Sequence, residues 1–291
     1  MKELVSVVII TYKRPVEIVS RAIKSVINQS YENIELIVVN DAPEEKELSS
    51  QLERYISALN DERIKYILHE KNKGANAARN TGLNHARGKF ISFLDDDDEW
   101  VINKLDSQLK YMKQDVAIVY SSFYVRTLNG DTISSVRLPD DPLKSILEGN
   151  FIGSTSFPLL LTSAVKNTGG FDEKLVSCQE YDLWIRLIRN YKIDKANNPA
   201  GYYYLSEDST FKKSDKYVQG INAVITKHAD LYKRYPRQLS NRYLNMAFAM
   251  LKKREWKKAA DYKIKAFKAD VFNPYNSFVF YMVKKIAKNR R

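Results

Sequence analysis

Residues 72–100 read NKGANAARNTGLNHARGKFISFLDDDDEW, and the last eleven of them decide the fold. Phe90 to Leu94 form a run of strand length, rich in aromatic and branched side chains, that stops against four consecutive carboxylates, Asp95 to Asp98. In open α/β sheets ligands bind beyond the carboxyl ends of the strands, so a buried strand with an acidic end reads as a site edge. Four adjacent like charges are costly unless they are hydrated or a cation neutralises them. Asp95 and Asp97 alternate along an extended backbone, so both can face one hard divalent ion whose other positions a diphosphate fills. The plainer reading is a solvated acidic turn. Just upstream, Gly74 opens a short helix of small residues, and its N-terminus and Arg79 offer positive potential to a phosphate. There the plainer reading is a helix packed closely on a sheet.

Outward from this stretch, further buried strands are expected at 5–10, 34–39, 64–68 and 116–120. Val19, Ala22, Ile23, Val26 and Ile27 recur at one-face helical spacing between the first two, and Leu48, Leu52, Tyr55 and Leu59 between the next two. Strand and helix alternate, which is the pattern of βαβ units and a mostly parallel sheet. The polar residues gather at strand ends: Thr11 to Arg14, Asp41, and Asp95 to Asp98. From 127 to 168 the periodicity weakens into loops and short elements. Residues 169–187, GGFDEKLVSCQEYDLWIRL, place Glu180 and Asp182 at the mouth of an amphipathic helix. Either acid can remove a proton from an attacking hydroxyl, or simply sit favourably in a first helical turn.

Beyond Phe211 only helical patterns remain. Tyr243, Ala247 and Leu251 form one stripe, and Trp256, Ala259, Ala260, Ile264 and Phe267 another, as in a helical hairpin. The last residues, 277–291, read SFVFYMVKKIAKNRR, an aromatic cluster before a basic run and a candidate interfacial anchor. Charge follows the same division. The chain of 291 residues carries a net +12, yet residues 212–291 hold 21 Lys and Arg against 5 Asp and Glu, and the remainder 26 against 30. The basic character belongs to the tail, a composition open to nucleic acid, to an anionic membrane surface, or to no partner in particular. No recognised nucleic-acid motif accompanies it, so no nucleic-acid partner is expected.

The single cysteine, Cys178, rules out an intramolecular disulfide and a Cys/His metal site. His69, His85 and His228 are scattered without ligand spacing and are expected in packing or surface roles. The N-terminal apolar run is too short for a signal-peptide core or a membrane span, so a cytoplasmic chain is expected, peripheral at the inner face of the cell membrane. A Walker-type ATPase needs a Gly-rich loop ending in Gly-Lys-Ser/Thr, and the sequence has none.

Taken in order, VSVVIITYKRP, SVINQSYENIELIVVNDAP, NKGANAARNTGLNHARGKFISFLDDDDEW and GGFDEKL with QEYDLWIRL resemble the bacterial family-two glycosyltransferases of GT-A fold, over roughly residues 4–190. The resemblance implies a Rossmann-like, mostly parallel sheet flanked by helices, with a C-terminal helical extension. It implies an inverting transfer from a nucleotide-sugar, a UDP-sugar by preference, to a glycan or lipid-linked glycan acceptor in cell-surface polysaccharide or glycoconjugate synthesis. By the same resemblance Thr11, Tyr12 and Arg14 contact the nucleotide, with Tyr12 against the base and Asp41 on its edge. Arg79 lies near the diphosphate and Asp96 near the ribose or sugar. Asp95 and Asp97 match the Asp-x-Asp pair, of which Asp97 ligates Mn2+ or Mg2+ directly. Many relatives read Glu-Asp before Tyr-Asp-Leu-Trp, with that Asp as base; this chain reads Gln179-Glu180, so Glu180 inherits the position and Asp182 stays the second candidate. The implied division is a catalytic domain over 1–210, with a nucleotide-sugar half at 1–98 and an acceptor half at 99–210, and a basic helical region over 211–291. Two other functions compete: a nucleotidyltransferase, which releases pyrophosphate, and a non-catalytic nucleic-acid binder using the basic tail.

Overall fold

The computed structural model describes residues 2–205 and 215–276. They divide into two compact units, one holding residues 2–138 and 152–205, the other Pro139–Phe151 with the helices from 215 onward.

The first unit begins with β1 (Val5–Thr11), α1 (Val16–Ile27), β2 (Ile34–Asn40), α2 (Lys46–Ala58), β3 (Ile64–Leu68), α3 (Ala75–His85) and β4 (Phe90–Asp95). Here β1 pairs in parallel with β2 from Val5 opposite Ile34 to Thr11 opposite Asn40, and with β4 from Val5 opposite Phe90 to Ile10 opposite Asp95. The shared direction brings Thr11, Asn40 and Asp95 to one edge. Both faces of β1 and β2 are covered, which is why these strands read as continuous apolar runs. On one face α1 buries Val19, Ala22, Ile23 and Val26, the stripe that its periodicity predicts. Small residues let α3 lie close to β1: a Cβ on Gly82 would collide with the Val8 side chain.

The chain then forms β5 (Glu99–Trp100), α4 (Lys104–Leu109), β6 (Val116–Tyr120), β7 (Phe123–Thr127) and β8 (Gly130–Ser134). After α5 (Pro142–Glu148), which belongs to the second unit, come β9 (Leu159–Leu161), α6 (Thr162–Asn167), α7 (Gln179–Asn190), β10 (Lys192–Lys195) and β11 (Gly201–Tyr204). A seven-stranded sheet runs β10-β6-β9-β4-β1-β2-β3, parallel except for β9, which is antiparallel to both neighbours. Four strands, β5-β11-β7-β8, make a second sheet. This is the mostly parallel α/β sheet that the sequence implies, with GT-A-like helices on its faces. Two features differ from the sequence reading. The strand at 64–68 sits at the sheet edge and is only half-buried. The weakly periodic stretch after 127 hides β9, whose three leucines insert in the middle of the sheet.

The second unit contains α5, α8 (Asp215–Lys227), α9 (Ala229–Arg234), α10 (Pro236–Lys252) and α11 (Trp256–Ala269). A boundary at residue 210 falls among residues outside the description, and α5 lies with the later helices rather than with the sheet that precedes it in sequence. α10 and α11 pack as a hairpin, and Tyr243 stacks on Tyr262 with centroids 6.1 Å apart. The buried stripe of α11 is Ala259, Tyr262 and Ala266. Trp256, Ile264 and Phe267, grouped with Ala259 by the sequence, are exposed instead. The candidate anchor at 277–291 lies outside the described residues. Among those described, no helix is long and apolar enough to cross a membrane.

Candidate active site

The carboxyl edge of the sheet gathers three arginines around the acidic run. Arg14, just past β1, donates from Nε to Asp96 (3.1 Å) and from NH2 to Asp97 (2.7 Å). Arg79, on α3, donates to Asp95 at 2.7 Å and lies over the Phe171 ring. Arg21, on α1, donates to the Asp97 carbonyl at 2.6 Å and stacks on Tyr204, 3.7 Å from the ring centroid. The Nε groups of Arg21 and Arg79 are buried without a hydrogen-bond partner. Buried guanidinium N–H groups left unpaired are costly, and an oxygen-rich anion would satisfy them.

The four acids divide by environment. Asp98 is fixed: its carboxylate accepts from Ser156 Oγ at 2.5 Å and from the Tyr204 amide at 3.2 Å. Ser156 also accepts the Asp95 amide at 3.2 Å, and its carbonyl accepts Trp100 Nε1 at 2.6 Å, so one residue holds both ends of the acidic turn. Burial pushes the Asp96 carboxyl up to about 6, with Asp97 and Asp95 adding to it against the pull of Arg14. Burial likewise raises Asp97 and, more strongly, Asp98, with the Asp95 charge next in each case. Four carboxylates gather here against three arginines, so the run keeps an excess of negative charge. Among the described residues no three His, Cys, Asp or Glu side chains converge as a ready-made metal cage. Asp95 and Asp97 are hard oxygen donors at a partly open edge, and such a pair fits a divalent ion that takes its remaining ligands from a bound diphosphate.

Asp41 is more committed than the sequence suggests. Its carboxylate accepts from His69 Nδ1 (2.7 Å) and from the amides of Lys73 (2.8 Å) and Gly74 (2.7 Å). The residue is buried, and three donors occupy most of the four acceptor positions of a carboxylate. It staples the entry of α3 to β2, and two amides at that helix entry, regarded from sequence as open to a phosphate, are spent on it. His69 bridges Asp41 and Thr81 and is a packing residue. Thr11 is buried, and its carbonyl accepts the Asp41 amide. Tyr12 is exposed at the rim, its hydroxyl on Glu44 and Lys13 over its ring.

The two acids of α7 part company. Asp182 is 0% exposed and ion-paired with Arg186 at 2.8 Å, while Arg186 also donates to the carbonyls of Thr168 and Gly170. This corrects its candidacy as a base: the carboxylate holds the helix to the loop before it and faces no open space. Glu180 is half-buried. Burial raises its carboxyl above the ordinary range, with Arg79 opposing and Asp95 adding, so it feels the same charges as the acidic run. Cys178 precedes it with φ 60°, a left-handed backbone for a non-glycine residue. The loop leading there is held by α3: Asn76 donates to the carbonyls of Asp172 and Leu175, and Asn80 exchanges hydrogen bonds with the Phe171 backbone. Arg79 and Glu180 are thus positioned by one assembly.

Sequence reasoning missed Arg21, Asn76, Asn80 and Ser156. Arg21 sits one residue from buried Ala22 on a helix whose signal is its apolar stripe, and nothing local marks it. The asparagines lie four apart on α3, a spacing that could have flagged a shared face. In the Tyr202–Tyr204 run of β11, Tyr202 lines a cleft of about 570 Å³ with Arg21, Lys24 and Glu99. Tyr204 is tied to Glu99 and Arg126.

The profile of the family described as Glycosyl transferase family 2 matches residues 6–169. An uncharacterized glycosyltransferase of Methanocaldococcus jannaschii is 35% identical over 198 residues, 66% of this chain and 68% of that protein. The Escherichia coli UDP-Glc:alpha-D-GlcNAc-diphosphoundecaprenol beta-1,3-glucosyltransferase WfgD is 31% identical over 211 residues, 71% of this chain and 79% of its own. The solved mannosyltransferase PcManGT from Pyrobaculum calidifontis, in complex with GDP-Man and Mn2+, superposes with TM-score 0.65 at 15% identity, over 97% of this chain and 80% of that one. At that identity the likeness is one of fold. The family profile spans β1 to β4, α3 and the acidic edge that they build, and on that match the chain belongs to glycosyl transferase family 2 and is a glycosyltransferase.

Proposed function

We propose that the chain moves a sugar from a nucleotide-sugar, a UDP-sugar in the first instance, to a hydroxyl of a glycan acceptor with inversion at the anomeric carbon. The observation that carries this reading is the pairing, at one sheet edge, of arginines bearing unpaired buried N–H groups with a separate, half-buried Glu180. Anion binding and proton removal need those two environments kept apart.

In this reading Arg79 and Arg14 face the diphosphate, Tyr12 lies against the base, and Thr11, Asp41 and Asp96 line the nucleoside side. Asp97 and Asp95 would hold Mn2+ or Mg2+, and the ion would supply positive charge where the leaving group gains negative charge. Glu180 accepts the acceptor hydroxyl proton as that oxygen bonds to the anomeric carbon and the bond to the phosphate oxygen breaks. Arg79 donates to the departing diphosphate. Its distance from Glu180 is bridged by the reacting atoms, which the assembly of α3 and α7 orients. A carboxyl that burial raises above the ordinary range is a stronger proton acceptor than a solvated one.

The place of action is the inner face of the cell membrane, in synthesis of bacterial surface polysaccharide or glycoconjugate. Support comes from WfgD, whose name specifies a diphosphoundecaprenol-linked acceptor, and from the basic C-terminal region. The test is incubation with a panel of nucleotide-sugars and manganese, followed by analysis of the released nucleotide and the product anomer. Nucleoside diphosphate and an inverted linkage are expected. Pyrophosphate would mean nucleotidyl transfer, and a retained anomer would remove Glu180 as the base in this scheme.

A further inference from the structure

Among its described residues the second unit exposes an apolar face that their packing does not use. α11 turns its narrow stripe of Ala259, Tyr262 and Ala266 inward. A second stripe, Trp256, Ala260, Ile264 and Phe267, repeats at steps of four, four and three, so these residues share a face that lies roughly 120° around the helix from the buried one. Trp256 is 66% exposed, Ile264 53% and Phe267 52%, and just past the helix Val271 and Phe272 are 54% and 88% exposed. Lys257 and Lys268 flank the stripe on one side and Lys263 on the other. Single exposed apolar residues need no explanation. A row of them the length of a helix, rimmed by lysines and ending in Trp at one end and Phe at the other, matches the composition of a helix lying in a lipid interface.

Charge selects the occupant. α11 holds five lysines against one aspartate, within a region carrying 21 basic residues against 5 acidic ones. A second copy would bring like charge to like, whereas the anionic leaflet of a membrane attracts such a surface. We propose that this face of α11, with the turn at Val271 and Phe272, docks on an anionic bilayer. Trp256, Ile264, Phe267 and Phe272 enter the headgroup region, and Lys257, Lys263 and Lys268 meet the lipid phosphates. The inference rests on the membrane half of the proposed function and moves the contact from the terminal residues to a defined helix; it is independent of the chemistry of sugar transfer.

The experiment is flotation of the full chain with phosphatidylcholine vesicles, with and without phosphatidylglycerol, alongside Trp fluorescence. The wild type is expected to float with the anionic vesicles, less at high salt, and to show a blue shift on binding that W256F removes, since Trp100 and Trp184 are buried. The W256S/I264S/F267S variant is expected to lose about tenfold in partitioning, with an unchanged melting temperature and unchanged donor turnover on a water-soluble acceptor. K257S/K263S/K268S should lose the preference for anionic lipid. A K284S/K285S/K288S variant reports the terminal basic run separately. If the triple serine variant floats like the wild type, α11 is not the docking face. If the wild type floats with neither vesicle, both this proposal and the peripheral reading fall, and the transfer reaction stands or falls on its own assay. Self-association abolished by the same triple variant would make a second copy the occupant and overturn the proposal.

Discussion

The acidic edge of the sheet and the outer face of α11 depart from ordinary packing in opposite senses. At the edge, charge is buried: Asp96 and Asp98 lie inside, tied to Arg14, Ser156 and a backbone amide. On α11, charge is solvated and apolar surface is left in water. The first arrangement lacks a counter-charge and the second lacks a cover. Each deficit states the chemistry of what should fill it, a cation with phosphate in one case and lipid in the other. The contrast also separates the measurements, because changes at one region should leave the observable of the other untouched.

The largest effect is expected at the edge. Asp97→Ala should lower donor turnover by about a thousandfold, the several kcal/mol that lost leaving-group stabilisation is worth. Flotation of the same variant should not change, and a variant that turned over normally would take the metal-bearing role from Asp97. Next come the two acids of α7. Glu180→Gln should cut kcat by about 10²- to 10⁴-fold with donor KM little altered. The base works only when deprotonated, so kcat of the wild type should fall as pH drops through the raised Glu180 pKa, and that acid limb should vanish in the Gln variant. Asp182→Asn should act on folding instead: removing one partner of a buried ion pair costs about 3 kcal/mol, read by denaturant titration, while activity per folded molecule persists. Equal kcat losses in both variants would restore the ambiguity between them.

A smaller effect contrasts two kinds of lysine. Lys104 is buried beside the Trp100 ring, donating to Ser92 and Gln108, and burial holds its pKa well below the ordinary lysine value of 10.5. The folded state therefore sheds a proton that the unfolded chain keeps. Its stabilising contribution is full above pH 10.5 and is lost as pH falls toward the lowered folded value, at about 1.4 kcal/mol per unit. Relative to Lys104→Met, the wild type should gain stability as pH rises toward 10.5, whereas replacing exposed Lys257 should leave the slope unchanged. A difference constant with pH would mean that Lys104 titrates normally. The smallest expected effect is on α11, where Trp256→Ser should change stability by no more than about 0.5 kcal/mol, while Tyr262→Ala, on the inward stripe, should cost several times more.

The sheet was legible because its signals are local. The runs at 5–10, 34–39, 90–94 and 116–120 are apolar enough to state that they are covered on both faces, and a polar residue ends each of the first three. β9 was not legible, since three leucines are as compatible with a loop flank as with a strand, and only pairing with β4 and β6 decides. Within the site, the residue types at Arg14, Arg79 and the acidic run could be read, but not their partners. Nothing near Asp41 in sequence says that the amides of Lys73 and Gly74 return to it. Glu180 and Asp182, two residues apart, point to different sides of a helix, so a single rotation of α7 about its axis would exchange their roles. That rotation is set by Arg186, which reaches the Thr168 and Gly170 carbonyls, and by the Asn76 and Asn80 contacts to the loop before α7, pairings that the motifs do not state.

Because α5 interrupts the sheet-forming sequence yet packs with the later helices, Asn241 and Asn245 reach back to Glu148, and Tyr232 to the Leu147 carbonyl. A deletion at residue 210 would strand Ile146 and Leu147 without their shelter. A graft of the first unit alone has to excise the 139–151 excursion as well, or redesign its apolar side chains for water.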